Sequence, residues 1–275
     1  MKTVSCGITL YNPSLSDIQK IYEYINVFEI VYVFDNTENE YSNDIEKKIN
    51  YLKKISNVIY YRFKKNLGLA IAFNTILESC NSEFLCTLDQ DSIFNTEDII
   101  QIINKLNNLP RSTAIISPKV LYKMQMFQKK DRIFEKKWVI TSGAFMNVNL
   151  IKSNNIRFDE NYFIDRVDID ICKQIVNKNL HIYEYENSVL YQQLGEKKNT
   201  IFGKKDVHSP LRHYYIFRNR LYYNDKYNIS KITTIIQIVK HVCAILFYED
   251  KKIEKIKVLK KARNDYAQKK YGKYV

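Results

Sequence analysis

The feature that most constrains this chain is an alternation of short apolar runs with helical periods through the first ninety or so residues. Residues 4–10, 29–34, 58–63 and 84–88 are strand-length apolar runs rich in β-branched and aromatic side chains. Between them, Ile18, Ile21, Tyr22 and Ile25, then Ile45, Ile49, Leu52 and Ile55, then residues 69–79, recur at helical spacing. Strands separated by helices cannot close as hairpins. They pair by crossover, which gives a mostly parallel sheet flanked by helices, an α/β fold. Ligands of such sheets sit beyond the carboxyl ends of the strands. Those ends here read Tyr11-Asn12, Asp35-Asn36, Asn66 and Asp89-Gln90-Asp91, each polar after an apolar run.

Farther along, residues 96–107 and 165–176 have helical character, and residues 114–117, 182–185 and 189–191 read as strands. The five cysteines are odd in number and form no CxxC pair, which argues against a disulfide framework and a zinc ribbon. No apolar stretch with a cleavage site follows Met1, so the cytoplasm is the expected compartment. The net charge of +13 is uneven: residues 196–275 hold 20 Lys and Arg against 7 Asp and Glu, and the rest of the chain is balanced. An anionic partner is therefore expected to meet the C-terminal part.

Five constellations are candidates for chemistry. Asp89 and Asp91, two residues apart past a strand, can converge on Mg²⁺ or Mn²⁺, which take one or two carboxylates plus substrate phosphate oxygens. Asp165, Asp168 and Asp170 crowd the start of a helix. One of them can serve as a general base, and together they also suit the helix dipole. Asp35, Asn66 and Gly68 lie where a base, a ribose or a phosphate would sit, although Asp and Asn also cap turns. Arg212, His213, Arg218 and Arg220 interleave with aromatics in a phosphate-compatible pattern, with His208 or His213 as a metal or phosphate ligand. Ser142-Gly143 interrupts an apolar run with small residues, which fits either a pocket wall or a tight strand.

The chain resembles the family-2 inverting glycosyltransferases, within them the rhamnosyltransferase-like branch. The resemblance rests on Ile8-Thr9-Leu10-Tyr11-Asn12-Pro13, Phe34-Asp35-Asn36, Asn66-Leu67-Gly68-Leu69-Ala70, Leu88-Asp89-Gln90-Asp91-Ser92, Thr141-Ser142-Gly143, Phe163-Ile164-Asp165-Arg166-Val167-Asp168, and Arg212-His213-Tyr214-Tyr215 with Arg218-Asn219. It implies a GT-A fold over residues 1–224, with 225–275 as a basic helical extension. It implies a divalent cation on Asp91, for which the residues themselves offer Asp89 and His208 as further ligands. Asp35 would take the nucleotide base and Asp89 the ribose or donor sugar. Tyr11, Asn12, Asn66, Gly68, Gln90, Arg212 and Arg218 would line the donor, and Ser142 and Gly143 the acceptor or sugar pocket. Asp168 would be the base, with Asp165 second. The expected donor is dTDP-L-rhamnose, the alternative a UDP-hexose of the galactose or N-acetylglucosamine type. The expected acceptor is a hydroxyl of a cell-surface polysaccharide, in some cases lipid-linked.

Residues 232–248 are apolar but interrupted by Gln237, Lys240 and His241. A spanning helix wants about 20 predominantly apolar residues, so a buried or interfacial helix is expected. The Lys-rich segment 251–270 after it is suited to an anionic membrane surface, the inner face of the cell membrane. A second copy of the chain is a further candidate partner. Nucleic acid is not expected, because such binding leaves the polar strand ends unexplained. A nucleotidyltransferase would want a Gly-rich basic loop after the first strand, where Tyr11-Asn12-Pro13-Ser14 stands.

Overall fold

The computed structural model describes residues 2–122, 127–192, 197–200 and 203–274. In chain order the elements are β1 (Val4–Leu10), α1 (Leu15–Tyr24), β2 (Val31–Asp35), α2 (Asn43–Leu52), β3 (Val58–Arg62), α3 (Leu69–Ser79), β4 (Phe84–Asp89), β5 (Ile93–Phe94) and α4 (Thr96–Lys105). Then follow β6 (Thr113–Leu121), β7 (Ile133–Glu135), β8 (Ala144–Asn147), α5 (Val148–Ser153), α6 (Val167–Asn177) and β9 (His181–Tyr191). The C-terminal part holds β10 (Lys197–Thr200), β11 (Gly203–Asp206), α7 (Pro210–Lys226), α8 (Lys231–Tyr248) and α9 (Lys252–Ala267). Two compact units result, residues 1–159 with 168–193 and residues 160–167 with 194–275. Within the second unit, α7 packs along α9 and shares its core.

The first unit is a nine-stranded sheet of order β3-β2-β1-β4-β8-β6-β9-β5, with β7 paired to β9. The pairs β3–β2, β2–β1 and β1–β4 are parallel, as the strand–helix alternation requires. Parallel pairing returns at β6–β9, while β8, β5 and β7 pair antiparallel with their neighbours. β8 is antiparallel to both β4 and β6, because a short turn at Thr141-Ser142-Gly143 and a long excursion feed it, not a crossover helix. The two short strands read at 182–185 and 189–191 are one strand, β9, with a register shift against β6. Every residue of β1 and β2 is buried, so both faces of these strands are covered. Ser14 caps α1 in a capping box with Asp17, which fixes where the chain turns after β1.

The second unit packs α7, α8 and α9 around Tyr214, Tyr215, Phe217, Ile245, Leu259 and Ala262. A polar thread crosses it. Arg220 Nη1 donates to His241 Nδ1 (3.2 Å), so His241 carries its proton on Nε2, 2.8 Å from His213 Nδ1. His213 Nε2 then lies 3.0 Å from Glu249 Oε2, which Lys255 also meets at 2.6 Å. Burial, then the charge of Arg220 and the neighbouring His213, push His241 down to about 4. Burial also lowers His213, against the pull of Glu249. In the unfolded chain these imidazoles take protons near 6.5, before the folded ones do. Stability therefore falls as the pH drops from about 6.5 towards about 4 and levels off below. Thermal melting followed by circular dichroism across this range should show that fall, and His241→Asn, which cannot charge, should reduce it.

Candidate active site

The carboxyl ends of β1 and β4 are adjacent rungs of the parallel sheet, with Thr9 opposite Asp89. Gln90 extends that ladder by one rung made from a side chain. The Tyr11 N–H donates to Gln90 Oε1 at 2.7 Å, and Gln90 Nε2 donates to the Tyr11 carbonyl at 3.2 Å. Both ends of the amide are thus occupied by backbone. Gln90, read from sequence as a donor ligand, is placed as a clamp that fixes the Tyr11-Asn12 turn. Asn12 takes a positive φ of 47° there, and its N–H donates to Thr37 Oγ1.

Asp89 is held from the other side. Its N–H donates to Ser142 Oγ at 3.0 Å, Ser142 Oγ shares a hydrogen with Ser92 Oγ at 2.7 Å, and Gln192 Nε2 donates to Asp89 Oδ2 at 3.4 Å. Ser142 is buried, so it acts by positioning Asp89 and does not form a pocket wall. Gly143 is also a packing residue: with φ at +79°, a Cβ there would lie 2.6 Å from Leu190 Cδ1 and 3.0 Å from Pro118 Cγ. Its N–H closes a 2.7 Å bond to the Thr87 carbonyl. Asp91 is exposed, one turn residue beyond this lock.

Asp35 is fully buried and already surrounded by donors. The Thr37 N–H donates to Oδ1 at 2.9 Å; the Tyr60 hydroxyl (2.7 Å) and the Tyr41 hydroxyl donate to Oδ2, with Arg62 Nε 3.3 Å away. Burial and then Asp35 itself push Tyr41 up to about 12 and raise Tyr60 further, so both hydroxyls stay protonated. A base N–H would reach this carboxylate only by displacing one of these donors. Asn66 and Gly68 form a turn: Asn66 Oδ1 accepts the Gly68 N–H, and Gly68, at φ +86°, caps α3 with no side-chain cap bond. Asn36 Oδ1 anchors that turn through the Leu67 N–H.

Asp168 stands half-buried in the first turn of α6, in the same unit as Asp89 and Asp91. Its charge, after burial, raises the Tyr122 hydroxyl, and it contributes to the rise of Cys172 to about 12, where burial again leads. Asp170 is fully buried and takes a hydrogen bond from Gln174, which leaves Asp168 as the accessible carboxylate of the two.

Within the second unit, Asp165 and Arg166 both adopt the left-handed region, at φ +62° and +70°. Two such non-glycine residues cost about 1–3 kcal/mol each. Asn219 Nδ2 offsets part of that cost by donating to the Ile164 and Asp165 carbonyls, and Arg212 Nη2 donates to Asp165 Oδ1 at 2.9 Å. Arg212 and Asp165, read as donor ligand and alternative base, are thereby placed as partners of each other. Arg218 is 1% exposed. Its N–H groups reach the Tyr214 hydroxyl, Asn219 Oδ1 and the carbonyls of Lys270 and Gly272. A guanidinium so enclosed ties α7 to the end of the chain and has no fork left for a phosphate.

Among the described residues no three His, Cys, Asp or Glu side chains gather to hold a metal ion. His208 lies in the second unit, with its ring 5.8 Å from that of His213. Asp89 and Asp91 do fit Mg²⁺ or Mn²⁺ as a pair of hard oxygen donors completed by phosphate and water. Several contributors at these ends escape motif reading: Tyr41 and Tyr60 around Asp35, Ser92 beside Ser142, and Tyr122 near Asp168. Gln192 was accessible by the same rule that marks Asp89, a polar residue directly after an apolar strand.

A parallel β-α sheet that turns antiparallel beyond β4, with an acidic pair at the end of β4, defines a GT-A glycosyltransferase. The model of glycosyl transferase family 2 matches residues 13–169, and the chain belongs to that family. It is 24% identical over 274 residues, covering 91% of this chain and 90% of the relative, to the dTDP-rhamnosyl transferase RfbF of Shigella flexneri. It is therefore a glycosyltransferase, and its likeness to a rhamnosyltransferase runs over most of both chains. Among solved structures, S. aureus TarS 1–349 in complex with UDP-GlcNAc superposes with a TM-score of 0.53, at 16% identity, over 98% of this chain and 73% of that one. GalNAc-T7 with UDP, GalNAc and Mn²⁺ gives a TM-score of 0.56 at 12% identity over 70% of this chain, which spans less than half of that structure (44%).

Ser142→Ala should leave a buried N–H at Asp89 unpaired and cost about 1–3 kcal/mol. Urea denaturation should show that loss. Gly143→Ala should cost a similar or larger amount, through the clash with Leu190 and the strained φ.

Proposed function

We propose that this enzyme transfers L-rhamnose from dTDP-L-rhamnose to a saccharide hydroxyl with inversion at the anomeric carbon. The observation that carries the reading is the locked strand end, Asp89 held by Ser142 and Gln192, together with Asp168 as the accessible carboxylate of its segment. In the reaction the acceptor oxygen attacks the anomeric carbon. Asp168 takes the hydroxyl proton, and the bond from that carbon to the diphosphate oxygen breaks, releasing dTDP. A divalent cation on Asp89 and Asp91, when bound, would supply charge neutralisation to the departing diphosphate. The likeness to a dTDP-rhamnosyl transferase over most of both chains supports the donor. A UDP-hexose is the second reading, favoured only by the fold shared with a UDP-GlcNAc-bound structure.

Asp168→Asn should lower kcat by at least a hundredfold while donor binding persists, and Asp91→Asn should weaken donor binding measured with added Mg²⁺ or Mn²⁺. A radiolabelled transfer assay over a panel of dTDP- and UDP-sugars checks both variants and the donor. Full activity of either variant would overturn its assigned role.

The proposal also puts the enzyme at the cytoplasmic face of an anionic membrane. α8 has a mean hydropathy of 1.4 over 18 residues and is only 11% buried. Ile232 (72% exposed), Ile235, Ile236, Val239, Leu246 and Phe247 (64%) form an outward stripe at helical spacing, and Ile253 (75%) extends it. Lys231, Lys240, Lys251 and Lys252 are exposed along the same segment, the pattern of a helix lying in an anionic interface. The apolar face thus sits on α8, while α9 turns Leu259 and Ala262 inward. Co-sedimentation with phosphatidylglycerol vesicles should be lost in Ile232→Ser/Ile236→Ser/Phe247→Ser. Vesicle-independent self-association through the stripe would point to a homodimer in its place.

A further inference from the structure

The inner side of α8 carries a second feature that the transfer reading does not use. A cavity of about 520 Å³, wide open to solvent, lies on the C-terminal unit, lined by Arg166, His208, His213, Arg220, Lys240 and His241, with Glu249 at its wall. Its charge balance is one-sided. Glu249, the one acidic group among these, already faces Lys255 and His213. The two imidazoles of the polar thread are held neutral by the tautomers fixed above. Two guanidiniums and an ammonium therefore face the space with no carboxylate of their own among the described contacts. The Arg166 guanidinium lies over the Tyr223 ring, and Arg220 contacts a carbonyl and an imidazole. Crowding by Arg166, added to burial, lowers Arg220 to about 10, the response of a cation short of negative charge.

Arg166 is not there by chance of a mobile side chain. Its backbone is fixed in the left-handed turn that Asn219 holds by two bonds. Lys240 approaches from a different element, so the cations converge from three segments of the chain. At 100° per residue, Gln237, Lys240, His241 and Ala244 share one face of α8, roughly 130° around from the centre of the Ile232–Phe247 stripe. Lys240 lies where the two faces meet.

We infer that this cavity is a phosphate-binding site, taking the phosphate or diphosphate group of a substrate through Arg166, Arg220 and Lys240. Arginine forks and an ammonium suit tetrahedral oxyanions, and no carboxylate ion pair competes for the two cations Arg166 and Lys240. The neighbouring stripe points to the source: the phosphate of a lipid-borne acceptor held at the bilayer.

The test is calorimetric titration of the full chain with inorganic pyrophosphate, in the absence of sugar donor and divalent metal. Saturable binding is expected, weakened at least tenfold in Arg166→Gln/Lys240→Gln and unchanged in Asp91→Asn. Unchanged melting of the double variant without ligand shows that it folds. Asp91→Asn separates this site from the proposed transfer site, since failure of the transfer reading leaves pyrophosphate binding intact. Equal affinity in wild type and double variant, or no saturable binding in wild type, overturns the proposal. Repeating the titration with saturating dTDP identifies the source. Abolished binding places pyrophosphate in the nucleotide's own site and overturns the proposal. Persistent binding, with double-variant-sensitive recruitment to neutral vesicles doped with a prenyl phosphate, assigns it to a lipid-borne phosphate.

Discussion

The strand end at Asp89 depends on one buried hydroxyl. Ser142 accepts the Asp89 N–H and meets Ser92, so a single oxygen ties the last residue of β4 to the turn that starts β8 and to the residue after Asp91. Around it, Thr87 Oγ1 donates to the Thr141 carbonyl at 2.6 Å, and the Gly143 N–H returns to Thr87. These bonds form where the sheet changes from parallel to antiparallel. At such a change the ladder cannot satisfy every backbone group, and side chains complete the set. The carboxylates are therefore displayed by a rigid seam and not by a loose loop.

The same economy recurs on the β1 side. Gln90 acts as a surrogate strand residue, and Asn36 and Asn66 organise the turn before α3. Asp35 is a closed ring of tyrosine hydroxyls and backbone N–H, with any nucleotide base having to displace one of those donors. Residues that look like ligands in a linear motif thus divide into two kinds. Asp89, Asp91 and Asp168 are the ones to which the proposed transfer assigns chemistry. Gln90, Ser142, Gly143 and Arg218 hold the frame, because their hydrogen-bonding or steric capacity is already filled by the protein.

The C-terminal unit follows a different logic. Its core is aromatic and threaded by charges, with Arg218, His213 and Lys255 all nearly inaccessible. Buried ionic groups of this kind persist only when each is matched, and Lys255 and His213 are matched by Glu249. Where matching stops, at the cavity and at the outer face of α8, cationic and apolar surface is left over. These two faces are the ones that the proposed membrane and phosphate contacts use.

The amino-acid sequence by itself determined the alternating strands and helices, the polar residues at their carboxyl ends and the concentration of positive charge after residue 196, because periodicity and composition are local properties. It also marked Asp89, Asp91 and Asp168, whose spacing is visible in one dimension. Only the tertiary structure decided that β8 enters antiparallel, that Tyr41 and Tyr60 close over Asp35, that Arg218 is walled in, and that Arg166 shares a cavity with Lys240. Each of these joins residues 6 to 74 positions apart, or depends on which donors a carboxylate or guanidinium has already met. Hydrogen-bond capacity is finite and is filled by neighbours in space, so a motif can announce a side chain's chemistry but not whether that chemistry is still free.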